Sequence, residues 1–117
     1  MEISTPSPIE LTASAICLRY RQHSVLEDID LVVRGGEILA IVGESGAGKS
    51  TLLRILARVQ RQTSGRIGVR APDFDGPPAV LVWQDLALFE RLTVWQNVEF
   101  GLRARGRDRN QIDAAVS

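Results

Sequence analysis

One eight-residue stretch combines glycines, a lysine and a serine at a spacing that can hold a phosphate chain. Residues 43–50 read GESGAGKS and fit the pattern GxxxxGK[ST] at every fixed position. Its glycines permit backbone conformations in which successive N–H groups converge on phosphate oxygens. Lys49 can reach the β- and γ-phosphates, and the hydroxyl of Ser50 can bind Mg²⁺. The spacing therefore predicts a site for a nucleoside triphosphate.

The flanking sequence supports this interpretation, because a phosphate-binding loop must connect a strand to a helix. The apolar run Ile38–Val42 precedes the loop, and apolar residues recur at helical spacing over Thr51–Val59. The N-terminus of that helix would direct its positive dipole end at the anion. The alternative is a glycine-rich turn with an incidental lysine. We expect the following residues to contact the nucleotide: Gly43, Glu44, Ser45, Gly46, Ala47, Gly48, Lys49, Ser50 and Thr51.

The hydrophobic pattern predicts five strands in all. Ala15–Leu18 and Val25–Val33 should form a hairpin, and Gly65–Val69 is a short third strand. Ile38–Val42 and Ala79–Trp83 are apolar without alternation, which is typical of parallel strands buried on both faces. These two runs should be central in the sheet.

Two further helices and two irregular segments complete the prediction. Thr93 should cap a helix that ends before Gly101, and Asp108 should cap another. Prolines and glycine predict a surface loop over 71–78, and two prolines predict a flexible tail over 1–8.

Composition limits the possible partners. The 117 residues suit one domain, and 14 basic residues balance 14 acidic ones. This charge balance argues against nucleic acid and against a lipid surface. No apolar run approaches the roughly 18 residues that span a bilayer, so we expect no direct membrane insertion. The single cysteine, Cys17, favours a reducing compartment, and the expected location is the cytoplasm.

From about Leu18 onward the chain resembles the ATP-binding cassette (ABC) ATPases of transporters. Tyr20 stands where these domains carry an aromatic residue upstream of the phosphate-binding loop. The matching segments are residues 25–31 followed by Gly36-Glu37, residues 45–53 around the loop, residues 82–85, which resemble the Q-loop, and residues 88–98, which resemble the start of the helical subdomain of importer ATPases.

The resemblance implies an α/β fold: a partial P-loop NTPase core with an N-terminal antiparallel β-subdomain and the start of a helical subdomain. Residues 9–117 would form this incomplete ABC ATPase domain. The cofactors would be ATP and Mg²⁺, with Lys49 and Gln84 in catalytic roles. Tyr20 would stack on adenine, and the amide oxygen of Gln84 would face Mg²⁺ or the attacking water. The alternatives are a half-buried tyrosine at a strand end and a solvated amide.

The resemblance also implies partners. Membrane permease subunits and a second ATPase subunit would complete an importer, so the chain would lie peripherally at the inner face of the cell membrane. In this family the neighbourhood of residues 86–89 receives a short coupling helix from the membrane subunit. The apolar side chains there, from Leu86 to Phe89, can equally pack inside their own helical subdomain. Glu90 departs from the proline common at its position in similar importers.

Three motifs of complete ABC ATPases do not occur in the sequence: Walker B carboxylates after four apolar residues, a signature segment like Leu-Ser-Gly-Gly-Gln, and a histidine after Gln84. We therefore expect an N-terminal portion that binds ATP and is inactive in hydrolysis by itself. Two other functions stay open. The chain can belong to a soluble ABC ATPase without a transport role, or it can be a truncated, non-catalytic nucleotide-binding fragment.

Overall fold

A computed structural model describes residues 8–72, 79–85 and 87–116. Within it the chain forms two compact units, Met1–Leu81 and Val82–Ser117. The tail predicted at 1–8 lies outside the described residues except for Pro8. The loop predicted at 71–78 also lies outside them after Pro72, and so does Leu86.

The first unit contains a three-stranded antiparallel sheet. Its strands are β1 (Glu10–Tyr20), β2 (His23–Arg34) and β3 (Ser64–Arg70), in the order β2-β1-β3. The predicted hairpin and third strand are confirmed, and each strand is longer than its apolar stretch because polar residues at the ends also pair. The carboxylate of Glu10 joins the ends of the outer strands, 3.6 Å from Arg34 and 3.8 Å from Arg70.

A bulge in β1 brings two backbones into close contact. Ala15 adopts φ 51°, and its N–H donates to the Asp30 carboxylate at 2.7 Å. The Ala15 carbonyl then lies so near Gly65 that a Cβ on Gly65 would be 2.4 Å from the oxygen. Gly65 also has φ 98°, a conformation that L side chains rarely adopt. The pairing of β1 with β3 therefore needs glycine at this position.

Helix α1 (Lys49–Leu56) packs on this sheet. The buried core consists of Ala13, Ile16, Leu18, Leu26, Leu52, Ile55 and Leu56. The helix begins two residues before the predicted start at Thr51 and ends before Val59. It ends early because Arg58 adopts φ 57°, after which the N–H groups of Val59 and Gln60 both donate to the Arg54 carbonyl.

The two predicted parallel strands are wrong. Neither Ile38–Val42 nor the run at 79–83 forms a strand, and most of their side chains are exposed: Ile38 is 97% exposed and Val82 is 89% exposed, whereas Ile41 is half-buried against the core. An apolar segment becomes a strand only when a neighbouring strand pairs with its N–H and C=O groups. Among the described residues, β1, β2 and β3 pair only with one another. The α/β class with an N-terminal antiparallel sheet is nevertheless confirmed.

The second unit contains helices α2 (Val94–Ala104) and α3 (Arg109–Val116). Thr93 caps α2 as predicted, in a capping box with Gln96. Asp108 caps α3 in the same way, because its carboxylate accepts from the Gln111 N–H at 2.8 Å while the Gln111 side chain accepts from the Asp108 N–H.

The end of α2 corrects one prediction, since Gly101 lies inside the helix. The helix continues to Ala104, and Gly106, which follows the C-cap Arg105, adopts φ 70°. The Gly106 N–H donates to the Arg103 carbonyl at 2.9 Å, and the Arg107 N–H donates to the Leu102 carbonyl at 3.1 Å. These two bonds form a Schellman motif, in which the left-handed glycine stops the helix. None of the described helices is both long and apolar enough to cross a membrane.

Candidate nucleotide-binding site

The glycine-rich loop leads directly into α1. Gly46 and Gly48 adopt φ 82° and φ 94°, and the Ala47 N–H donates to the Glu44 carbonyl at 3.2 Å. Gly48 is the N-cap of α1, and its carbonyl accepts the first helical bond from Leu52 at 2.9 Å. The loop therefore makes a tight turn just before the N-terminus of the helix.

One face of the loop rests on β2. A Cβ on Gly48 would lie 2.9 Å from the Cδ2 of Leu26 and 3.1 Å from the Val25 carbonyl oxygen. At Gly46 the space is open, since a Cβ there would meet nothing within 4 Å among the described residues. The loop is thus anchored through Gly48 and accessible at Gly46.

The ammonium group of Lys49 folds back over the loop. Its Nζ donates to the Gly43 carbonyl at 2.7 Å and also to the Glu44 carbonyl. The side chain is half-buried, and Lys49 is the only lysine in the sequence. An ammonium group has three donors in all. Phosphate oxygens, which carry charge, would bind it more strongly than these neutral carbonyls.

The remaining loop residues surround this cation. Ser50 is exposed in the first turn of α1, and Thr51 beside it is half-buried. The first turn of α1, all of which is described, has no acidic residue that would repel an anion. Glu44, Ser45 and Ala47 are exposed on the loop. The structure brings all the predicted loop residues together at one helix N-terminus.

Tyr20 lies at the end of β1 in the same unit. It pairs with His23 across a tight turn that contains Arg21 at φ 52°, and it is 56% exposed. Its hydroxyl accepts a hydrogen bond from the side-chain amide of Gln60. Sequence reasoning missed Gln60, because a contact between residues 40 positions apart depends on how α1 packs on the sheet.

Gln84 belongs to the second unit. It is exposed and lies in a bend instead of at the predicted strand end. The structure therefore places Tyr20 and the loop residues in the first unit and Gln84 in the second.

Asn97 organises the start of the second unit, and sequence reasoning missed it too. Its Oδ1 accepts from the Phe89 N–H at 2.8 Å. Its Nδ2 donates to the carbonyls of Phe89 and Leu92, each at 3.2 Å, and of Thr93 at 2.9 Å. The Phe89 ring also contacts Phe100, with centroids 4.5 Å apart. Asn97 thus fastens the turn at 89–93 to α2.

An apolar surface remains open on this unit. Its exposed side chains are Leu88, Phe89, Leu92, Val94, Trp95, Val98 and Phe100. We call this set the α2 apolar surface. The Trp95 indole within it donates to the carboxylate of Glu99, which is buried and also pairs with Arg103 at 3.0 Å. Several exposed apolar side chains on one unit make it a candidate for binding another protein.

A loop that is rich in glycine, ends at a helix N-terminus and carries a lysine on the first helical residue is typical of P-loop nucleotide-binding domains. Comparison with known proteins narrows this class. The family model described as "ABC transporter" matches residues 26–117. The chain therefore belongs to the ABC transporter family of ATP-binding proteins, as its motifs predicted.

The curated relatives are import proteins. The chain is 46% identical over 85 residues to the taurine import ATP-binding protein TauB of Pelagibacter ubique. This match covers 71% of this chain and 32% of the relative. It is 39% identical over 110 residues to the sulfate/thiosulfate import ATP-binding protein CysA of Xylella fastidiosa, and this match covers 86% of this chain and 32% of the relative. It is 40% identical over 102 residues to the sn-glycerol-3-phosphate import ATP-binding protein UgpC of Burkholderia ambifaria, and this match covers 83% of this chain and 28% of the relative. The chain thus spans about a third of the length of these relatives.

Proposed function

We propose that this chain binds ATP and Mg²⁺ as part of the ATP-binding subunit of an ABC importer. The observation that carries the proposal is the position of Lys49, whose ammonium group lies over the Gly43 and Glu44 carbonyls at the N-terminus of α1. A cation held there meets a bound triphosphate without a change in the fold. Membership of the ABC transporter family supports the same function.

The residues present fit a triphosphate with its metal ion. A Cβ at Gly46 would meet nothing within 4 Å among the described residues, and the exposed Ser50 follows Lys49 in the first turn of α1. In the bound state the loop N–H groups of residues 43–51 would donate to phosphate oxygens, and Lys49 would move from the carbonyls to the β- and γ-phosphates. Ser50 would hold Mg²⁺, which neutralises phosphate charge when bound.

The base would stack on Tyr20. The exposed ring at the end of β1 offers an apolar face, and stacking on an aromatic ring contributes about 1–3 kcal/mol per base in nucleic-acid complexes. Gln84 would turn its amide oxygen to Mg²⁺ or to the attacking water in the assembled protein. Its exposed position in a bend allows the side chain this freedom.

We further propose that residues 9–117 are the N-terminal part of an ABC ATPase domain. The complete subunit would couple ATP hydrolysis to solute import with a second ATPase subunit and membrane permease subunits, at the inner face of the cell membrane. The α2 apolar surface is the region of this chain best suited to receive a permease segment. The relatives import taurine, sulfate or thiosulfate, and glycerol 3-phosphate by name, so similarity alone selects no solute.

Competition experiments test nucleotide binding. A fluorescent trinitrophenyl-ATP bound to the chain should be displaced by ATP and, more weakly, by tripolyphosphate, because the loop contacts the phosphates. AMP should compete poorly, since it lacks the β- and γ-phosphates that Lys49 contacts. Displacement by AMP as effective as that by ATP would contradict a phosphate-binding loop.

A second experiment tests the permease partner. Co-expression with the membrane subunits of an ABC importer should allow their copurification with the chain. Val98→Glu on the α2 apolar surface should abolish copurification, because it places a charge in an apolar contact. Leu53→Glu is the matched control, since Leu53 is an exposed apolar residue on α1 in the other unit. Equal capture by both variants would exclude the α2 apolar surface as the docking site.

A further inference from the structure

Gln60 makes two hydrogen bonds, one through its side chain and one through its backbone. Its Nε2 donates to the hydroxyl of Tyr20, and its backbone N–H donates to the Arg54 carbonyl at 3.2 Å. Arg54 lies in the last turn of α1, so this bond attaches Gln60 to the C-terminal end of the helix. Tyr20 is thereby connected to α1, although it lies on a different element.

The segment after Gln60 is also fastened to β1. The Thr63 N–H donates to the Cys17 carbonyl at 2.9 Å, and the Thr63 hydroxyl accepts from the Arg19 N–H at 2.9 Å. Residues 60–63 therefore follow the end of β1, and the contact between Gln60 and Tyr20 belongs to a larger set of bonds.

This contact matters because of what lies at each end of α1. Lys49, at the first position of the helix, carries the proposed phosphate contact. Gln60, just after its last turn, holds the ring that carries the proposed base contact. A tyrosine ring that is 56% exposed can rotate in solvent unless its hydroxyl is held. Ordering a side chain before the ligand arrives removes part of the entropy cost of binding.

We propose that Gln60 is a positioning residue for the nucleotide base, which acts by holding the Tyr20 ring through its hydroxyl. The inference rests on the proposed function, since it assigns a role within the same nucleotide site. Gln60 touches Tyr20 and not the phosphates, so its effect should be confined to ligands that carry a base.

The sequence offers a direct probe, because Tyr20 is the only tyrosine. Labelling the full chain with 3-fluorotyrosine gives a single ¹⁹F signal that reports the ring, and titration with ATP or with tripolyphosphate gives both affinities. The test variant is Gln60→Met, which keeps length and removes the donor. Gln60→Glu is the conservative variant, because its carboxylate can accept a bond from the Tyr20 hydroxyl. Gln62→Met is the matched control, since Gln62 donates to the Gly65 carbonyl instead.

We expect Gln60→Met to shift the ¹⁹F signal of the free chain and to weaken ATP binding about threefold to tenfold, with tripolyphosphate affinity unchanged. Gln60→Glu should restore ATP affinity to within about twofold of wild type, and Gln62→Met should not alter it. An unchanged signal and ATP affinity in Gln60→Met, or an equal loss of ATP and tripolyphosphate binding, would overturn the role of Gln60. A wild-type chain that binds neither ligand would overturn the proposed function itself.

Discussion

Gly48 lies directly against Leu26: a Cβ at Gly48 would be 2.9 Å from the Cδ2 atom of that leucine. Leu26 is buried in the core that β1, β2 and α1 share, so its side chain has little room to move. The phosphate-binding loop is thus attached to the β-sheet at the same residue that caps α1.

This contact predicts different outcomes for two glycine substitutions. Gly48→Ala should destabilise the first unit by about 2–4 kcal/mol, because the new methyl group combines a positive φ with a clash in the core. Gly46→Ala is the matched control. It has φ 82° but open space, so it should cost about 1 kcal/mol from backbone strain alone. Amide hydrogen exchange of β1 and β2 measures both values, and equal protection in the two variants would refute the packing of Gly48 on Leu26.

The bulge at Ala15 predicts a stronger effect at Gly65. Gly65→Ala should separate β3 from β1, because its Cβ would come within 2.4 Å of a backbone oxygen that the bulge holds in place. Gly36→Ala has a similar φ of 81° with nothing within 4 Å among the described residues, and it should retain the sheet. Hydrogen-exchange rates of the β3 amides distinguish Gly65→Ala from Gly36→Ala. Protection of β3 in Gly65→Ala would mean that the strands pair in another register.

The hydrogen bonds of Asn97 predict that its loss destabilises the turn at 89–93 in the second unit. Asn97→Ala removes four side-chain hydrogen bonds and should release the turn at 89–93 from α2, at a cost of about 1–3 kcal/mol. Asn97→Asp keeps the acceptor for the Phe89 N–H but places a carboxylate oxygen against three carbonyl oxygens, so it should not restore this stability. Asn110→Ala, on the exposed side of α3, is the matched control. Exchange of the Phe89 amide provides the measurement, and equal rates in Asn97→Ala and Asn110→Ala would contradict the role of Asn97.

Local signals predicted the elements whose partners lie nearby in the chain. The hairpin of β1 and β2, the helix after Gly48 and the caps at Thr93 and Asp108 depend on partners in the same or the next element of the chain, and all are present. Ile38–Val42 could form a strand only if other strands paired with it. An apolar sequence that suits a buried strand does not by itself supply those neighbouring strands. Contacts such as Gln60 with Tyr20 depend on side chains meeting across the fold, so no sequence pattern marks them.

Titration calorimetry can measure whether Lys49 binds the phosphates of a nucleotide. Lys49→Met should bind Mg²⁺-ATP about tenfold to a hundredfold more weakly than wild type, because a charge-assisted bond to phosphate is lost. Arg66→Met removes an equal charge from the exposed side of β3 and should bind like wild type. Both variants should fold, since neither side chain belongs to the buried core. Equal ATP affinity in wild type and Lys49→Met would mean that Lys49 does not contact the phosphates.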